Sequence, residues 1–391
     1  MNFSKKFLHG PGITIFILTY IFLFLWAFHD VRIFVKFKTL QLAGYAMGSP
    51  SYFSEDIFLS RFDPEAELVP VSIRIPVQPL TQVIEFHGHI FNDFNRKEFL
   101  RGLKNNHTEY FVNLALRTVT PEEYKKLLDE TGHDRRIIHF PGLNWERIKT
   151  EDYQGMARDL EEIIKTGNVK GLKLWKDFGL KYRKKNGELI SLDDPVMDPV
   201  WDVCEKYNIL VAIHTADPPA FFQKVDEHNE RLPELGRHPD WSFTGSDLPS
   251  FNELLSQRDR LFKKRKGIRF IALHFGEFAH NLKLAGEMLD SNPNVWVDTA
   301  QRIDELGRQP VAAKAFFLKY QDRILYGTDG MPDYEKVRIY WRFFETDDEY
   351  FDYHPAHKPK KGMWKIYGLD LPETVLKKIY YDNSAGLLGL K

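Results

Sequence analysis

Five short stretches place a histidine, lysine or aspartate at or just past the end of an apolar run. They are Glu85-Phe86-His87-Gly88-His89, Gly171-Leu172-Lys173-Leu174-Trp175-Lys176, Ala212-Ile213-His214-Thr215-Ala216-Asp217, Ala272-Leu273-His274-Phe275-Gly276 and Tyr326-Gly327-Thr328-Asp329-Gly330. His87 and His89 are two apart, so in an extended chain their rings share one side, with Gly88 leaving room between them. Neutral imidazole is a common metal ligand, and two on one face make half of a tetrahedral shell. His214 and Asp329, from strands across the fold, would complete that shell and leave a position for water. A His-x-His pair alone is weak, and a lone His214 or His274 is more often a satisfied core histidine. Their joint occurrence at the ends of apolar runs favours a metal site. Cys204 is the single cysteine, which leaves histidine and carboxylate as the ligands.

Side chains so far apart in the chain meet only if a fold gathers those ends. Apolar runs at 83–86, 110–116, 136–140, 169–175, 209–213, 268–273, 295–297 and 323–326 read as strands. Amphipathic stretches at 121–131, 152–166, 199–207, 250–264, 278–290 and 309–320 read as helices between them. Runs apolar at successive positions fit parallel strands covered on both faces. Eight such strands predict an α/β fold, a closed (β/α)8 TIM barrel whose active groups lie at the C-terminal strand ends. An open doubly wound sheet is the alternative, but the first strand lacks a Gly-x-Gly-x-x-Gly turn.

His87-Gly88-His89, HTAD at 214–217, LHFG at 273–276, YGTDG at 326–330 and YYDNSAGLLGL at 380–390 together resemble the amidohydrolase superfamily. The branch they look most like is the amidohydrolase-related (amidohydrolase 2) group of hydrolases, lactonases and non-oxidative decarboxylases. The resemblance runs from about 84 to 390. It implies a divalent metal, Zn²⁺ first and Mn²⁺ or another ion second, held by His87, His89, His214 and Asp329. His274 matches a histidine that binds a second metal or polarises the substrate. Glu85 stands where the family's Asp-x-His-x-His begins with aspartate, and its longer carboxylate suits a partner of a ligand. Lys173 stands where binuclear members carry a carboxylated lysine; a salt-bridged or anion-binding lysine fits it equally.

The expected reaction is hydrolysis of an ester, lactone or amide by metal-activated water. Asp329 would take the water proton and His274 would stabilise the developing oxyanion. Decarboxylation of a carboxylated small molecule is the second reading. A membrane-tethered barrel that only binds is the reading from another class. The insertion at 217–243 is long enough to be a lid. Its Phe221, Phe222, Trp241 and Phe243 are expected to pack the loop, or else to wall a pocket where Arg237 and His238 meet a substrate carboxylate. The acidic, aromatic tract at 345–353 reads as a solvated surface.

Composition supplies the frame. The 391 residues carry 54 Lys+Arg against 55 Asp+Glu, a net charge of -1, which argues against a nucleic-acid partner. A hydrophobic share of 43% permits a large core and excludes disorder as the main state. The N-terminus departs from the average, with no charged side chain from position 10 to 28. Lys5 and Lys6 precede that run, Arg32, Lys36 and Lys38 follow it, and no small-residue cleavage pattern closes it. The expected organisation is a membrane anchor at 1–40 with its transmembrane helix at about 10–28. A stalk and lead-in follow at 41–80, then the barrel at 81–391. The catalytic domain is placed on the exported side, acting on a small molecule, and barrels of this type commonly form homo-oligomers.

Overall fold

A computed structural model of the chain describes residues 68–390 apart from 72, 92–93, 116–118, 168, 246 and 357–360. The expected span at 10–28 and the stalk at 41–67 lie outside the described residues. Among those described, no helix is long and apolar enough to cross a membrane.

The eight apolar runs all become strands: β1 Val83–Gly88, β2 Thr108–Leu114, β3 Ile137–Phe140, β4 Gly171–Leu174, β5 Leu210–Ile213, β6 Phe270–Ala272, β7 Val295–Asp298 and β8 Ile324–Leu325. Consecutive strands pair in parallel within β1–β3 and within β4–β8. A bridge from His139 to Val169 joins β3 to the approach to β4, and one from Gly88 to Gly330 closes the ring past β8. The result is a (β/α)8 barrel.

One main helix follows each strand: α1 Arg96–Asn105, α2 Pro121–Glu130, α3 Tyr153–Ile164, α4 Asp198–Lys206, α5 Phe251–Lys264, α6 Leu282–Ser291, α7 Pro310–Lys319 and α8 Tyr334–Glu345. Local chemistry starts them where it should. Thr120 and Glu123 form a reciprocal capping box at α2, and the side chains of Asp152 and Ser250 cap α3 and α5. The sequence reading omits α1 and α8. Helix α1 buries only Phe99 and Leu103, too few to show a period. Helix α8 buries Val337, Tyr340, Trp341, Phe343 and Phe344, a helical stripe crowded with aromatics.

Strand parity separates two apolar layers. Leu210, Ala212, Ile271, Leu273 and Leu325 share one cluster with Ile84, Phe86, Val112 and Ile138. Val211, Ile213, Phe270, Ala272, Val295, Val297 and Ile324 belong to a second cluster that includes the helices. Because side chains alternate along a strand, the first set fills the barrel and the second packs outward. His214 continues the parity of Leu210 and Ala212. Asp298, two past Trp296, is out of phase with Val295 and Val297, and Lys173 with Leu172 and Leu174.

The apolar alternation from Val69 to Val77 predicts a short strand in the lead-in, and the structure corrects this. None of the described residues of 68–82 is in a strand, because Pro70, Pro76 and Pro79 lack the amides a ladder needs. This lead-in is instead tied to α8 and the residues after it. Tyr334 donates its hydroxyl to the Val77 carbonyl at 2.8 Å, and the Arg74 amide donates to Asp348 at 2.6 Å. The tract at 345–353 is corrected with it. Asp348 and Phe351 are buried, and Arg342 Nε donates to Asp348 at 2.7 Å.

Glu345 accepts from the Tyr380 hydroxyl at 2.9 Å and from the Leu80 amide at 3.3 Å, both on Oε1. Burial pushes its carboxyl up to about 7, against the pull of those two donors. A raised folded value means the native state holds a proton that the unfolded chain releases near its ordinary value of 4.5. That contribution to stability is full below about 4.5 and is lost as pH rises through about 7. Glu345→Gln keeps an acceptor oxygen and removes the ionisation. Its Tm is expected to exceed that of the unmutated protein at about pH 8 and to match it at about pH 4.5. Thermal melts at the two pH values check this, and equal differences at both would refute it.

The chain forms two compact units. The barrel is one. The described part of the other is 220–244 with 361–363. Within 220–244 the aromatics pack on each other: Trp241 stacks on His238 at 4.1 Å and on Phe221 at 6.5 Å, and Phe222 meets Phe243 at 5.1 Å. The Phe243 amide donates to the Phe221 carbonyl at 2.8 Å, closing the segment on itself.

Candidate metal centre

Four imidazoles gather at the strand ends. Ring centroids are 5.2 Å apart for His87 and His89, 4.8 Å for His87 and His274, and 4.2 Å for His214 and His274. Three rings have their Nδ1 fixed by an acceptor. His87 Nδ1 lies 2.5 Å from Asp298 Oδ2, His89 Nδ1 lies 2.6 Å from the Leu114 carbonyl, and His274 Nδ1 lies 3.0 Å from the Ala300 carbonyl. Each of those Nδ1 atoms therefore carries a proton, which leaves Nε2 as the atom each ring can offer to a cation.

These lone pairs test whether a cation fits. His87 Nε2 and both ring nitrogens of His214 are buried without a hydrogen-bond partner. His89 Nε2 lies 2.7 Å from Asp329 Oδ1. Two lone-pair atoms that close need a proton or a cation to join them. Ligand atoms of His87, His274 and Asp329 all lie within 4.8 Å of one another. A nitrogen and oxygen donor set of this kind fits a divalent ion such as Zn²⁺ or Mn²⁺.

Electrostatics agree with neutral rings. Burial, reinforced by neighbouring positive charge, holds His214 and His274 well below the ordinary histidine value. Burial also lowers His87, although Asp298 opposes it. Burial pulls Asp329 upward, but its hydrogen bond with His89 and the neighbouring imidazoles outweigh it and hold the carboxyl well below its ordinary value. The Asp329 side chain is 26% exposed, which opens the cluster to the solvent side.

Supporting groups hold this geometry. Glu85 accepts from the His87 amide at 3.0 Å, the Thr328 amide at 2.9 Å and the Thr328 hydroxyl at 2.8 Å. It thus ties β1 to the loop carrying Asp329, and its carboxylate is spent on those donors rather than on a metal. Burial pushes it up to about 8 against their pull. Gly327 is required between them, since a Cβ there would sit 2.7 Å from the His87 Cβ. The Lys336 ammonium on α8 donates to the Asp329 carbonyl at 2.9 Å.

After β6 the chain makes a left-handed turn, with φ of 55° at His274, 59° at Phe275, 61° at Gly276 and 61° at Glu277. Three of these are not glycine, at about 1–2 kcal/mol each. Three contacts hold the turn: the His274 amide to Asp298 Oδ1 at 2.6 Å, Arg258 Nη1 to the Gly276 carbonyl at 2.6 Å, and the Arg302 guanidinium on Glu277 at 2.7 and 2.8 Å.

The sequence candidates therefore separate. His87, His89, His274 and Asp329 converge. His214 stands beside His274 but outside the tightest group. Glu85 supports, and Lys173 is buried nearby with no hydrogen-bond partner for its Nζ. With the proton on Nδ1, the His274 Nε2 offers a lone pair, an arrangement that suits a ligand or base. Sequence reasoning missed Asp298 and the Glu277–Arg302 pair. Asp298 had a signal, since it follows Val295-Trp296-Val297 as Asp329 follows the eighth run.

The comparisons agree with this fold. A family model described as Amidohydrolase matches residues 126–390. No curated protein matches in sequence. Among solved structures, 2,6-dihydroxybenzoate decarboxylase complexed with 2,6-dihydroxybenzoate is 14% identical with a TM-score of 0.53, over 80% of this chain and 100% of that one. The 2,6-dihydroxybenzoate decarboxylase from Rhizobium is 15% identical with a TM-score of 0.51, over 79% and 99%. With its family motif matched over most of its length and its histidines and aspartate gathered at the barrel mouth, the chain belongs to the amidohydrolase family.

Proposed function

We propose that the protein is a metal-dependent hydrolase acting on a carbonyl substrate, with the cation held by His87, His89, Asp329 and His214 or His274. The observation that carries this reading is the set of buried imidazole nitrogens without hydrogen-bond partners, His87 Nε2 and both nitrogens of His214, beside the close approach of His89 Nε2 to Asp329 Oδ1. A divalent cation there supplies Lewis-acid polarisation of the carbonyl and activation of water. The chain's own groups do the rest. Asp298 keeps the proton on His87 Nδ1, Glu85 holds Thr328 while Lys336 holds the Asp329 carbonyl, and Asp329 is the carboxylate placed to accept a proton. Whichever of His214 and His274 is not a ligand is neutral and able to accept a proton at Nε2. Decarboxylation is the second reading, because the two structures compared are decarboxylases and because Lys173 is a buried cation without a hydrogen-bonding partner.

Metal content of the full-length protein, followed by assay of lactones, aryl esters and aromatic carboxylates with CO₂ detection, tests both. Close to one bound metal per chain, and turnover that falls with chelation and returns with Zn²⁺ or Mn²⁺, is the expected result. Turnover that survives complete chelation would refute the metal-dependent reading, and CO₂ release without ester or lactone cleavage would select decarboxylation.

A further inference from the structure

Seven of the thirteen large apolar side chains that stand exposed among the described residues fall within 68–80, so the exposed apolar surface is concentrated in one strip. Val69, Val71, Ile73, Ile75 and Val77 take every second position, each at 49% exposure or more, while Pro70 and Pro76 between them are partly buried. The alternation is that of a strand, but its apolar face is turned to water. A contiguous apolar patch of this kind marks an interaction surface. The strip also lies outside the residues matched to the family.

The main chain here has one edge in use and one edge free. The Arg74 amide donates to Asp348 at 2.6 Å, and the Pro76 carbonyl accepts from Arg338 Nε at 3.1 Å. Both are even-numbered, and both face the chain's own barrel. In extended chain the N–H and C=O of one residue share an edge, and the next residue takes the other. The odd-numbered groups therefore face away. Among the described residues, the main chains of Val71, Ile73 and Ile75 have no hydrogen-bond partner. Residues 73–76 run without a bend, and past the bend at Val77 its carbonyl turns back to Tyr334 at 2.8 Å. Pro70 and Pro76 belong to the barrel-facing set. The amides they lack keep the segment out of its own barrel's ladder, and the free edge does not need them.

Residue order says what fits that edge. VPVSIRIPV at 69–77 reads nearly alike in both directions about Ile73: Val69 answers Val77, Pro70 answers Pro76 and Val71 answers Ile75. Two such segments turned about a two-fold axis through Ile73 set every apolar side chain opposite another, which is the self-complementarity of an isologous interface. Opposite side chains then lie about 4.5–5.5 Å apart at Cβ and cover one another. Arg74, the single charged side chain of the segment, is paired with Asp347, which leaves no cation here for lipid phosphates. The barrel-facing edge, short of two amides and with two groups already bonded, takes no third strand, so pairing stops at two copies.

We propose that a second copy of this chain docks on the lead-in, residues 69–77 of the two copies pairing antiparallel about Ile73 into a ribbon that joins two barrels. The pairing is independent of the reaction at the barrel mouth.

The test measures association and then register. The mass of full-length protein in mild detergent is followed by light scattering from about 100 to about 1 µM, and it should fall from two chains towards one on dilution. Ile73→Arg sets two like charges on the axis. It is expected to weaken association at least about hundredfold, about 2.8 kcal/mol, with metal content and circular dichroism unchanged. Cys204 is the only cysteine and is buried, so introduced thiols report the register. Opposite Cα atoms in an antiparallel pair are about 4.5–5.5 Å apart, within reach of a disulfide. Residues four positions out of register are about 13 Å apart, beyond that reach. On mild oxidation Ile73→Cys should cross-link to its own kind. Val71→Cys alone should not, but should do so when mixed with Ile75→Cys. A mass of one chain at every concentration, an Ile73→Arg protein that associates as the unmutated one does, or Val71→Cys that cross-links alone as readily as Ile73→Cys overturns the proposal. So does a monomer whose Ile73→Cys thiol is shielded from maleimide only when lipid vesicles are present, which would give the strip to a membrane.

Discussion

Asp329→Asn is expected to abolish most turnover while leaving the fold intact. The carboxylate is the one anionic member of the compact ligand group, and its Oδ1 faces His89 Nε2 at 2.7 Å and His87 Nε2 at 3.5 Å. Replacing it with an amide of the same shape removes a negative ligand and a proton acceptor together. Loss of a positioned acid or base alone slows reactions by about 10²–10⁴-fold, so activity should fall at least that far, with metal affinity falling alongside. In metal-free protein an amide of the same shape still reaches His89 Nε2, through Nδ2 or Oδ1, so the variant should keep its fold. Parallel metal titrations, activity assays and melts check this, and a folded variant with full metal affinity and full turnover would refute the role of Asp329.

The second large effect is expected at Asp298, which touches two parts of the centre at once. Its Oδ2 takes the His87 Nδ1 proton at 2.5 Å, and its Oδ1 takes the His274 amide at 2.6 Å at the head of the left-handed turn. Asp298→Asn offers one acceptor where two are needed. If the NH₂ faces His87, the ring must move its proton to Nε2 and lose the lone pair turned to the metal. If it faces His274, two donors meet in a fully buried place. Partners of this kind typically alter metal affinity or activity by about 10–100-fold. Leaving one buried group unsatisfied costs about 1–3 kcal/mol of stability. Metal affinity and the denaturation midpoint should fall together. Unchanged metal affinity in the variant would show that the His87 tautomer does not depend on Asp298.

The barrel was legible in the chain because parallel strands covered on both faces must be apolar at successive positions. All eight runs show this, from 83–86 to 323–326. The helices were less legible where packing is sparse or aromatic: α1 buries two apolar side chains, and α8 has its stripe filled by Tyr340, Trp341, Phe343 and Phe344. The lead-in misled, because alternation at 69–77 suggests a strand that its prolines exclude from the barrel.

At the centre, the sequence by itself determined which residue types reach the barrel mouth. The apolar runs mark where each strand ends, so His87, His214 and Asp329 were placed by standing at or just past those ends. Only the tertiary structure decided what each of them does there. The role of an imidazole depends on which nitrogen carries its proton, and that depends on acceptors far away in the chain: Asp298 for His87, Leu114 for His89 and Ala300 for His274. Glu85 became a clamp on Thr328, 243 positions away, for the same reason. A hydrogen bond or ion pair between distant residues leaves no period and no spacing in a single chain, whereas burial of a strand must write itself into every residue of the run.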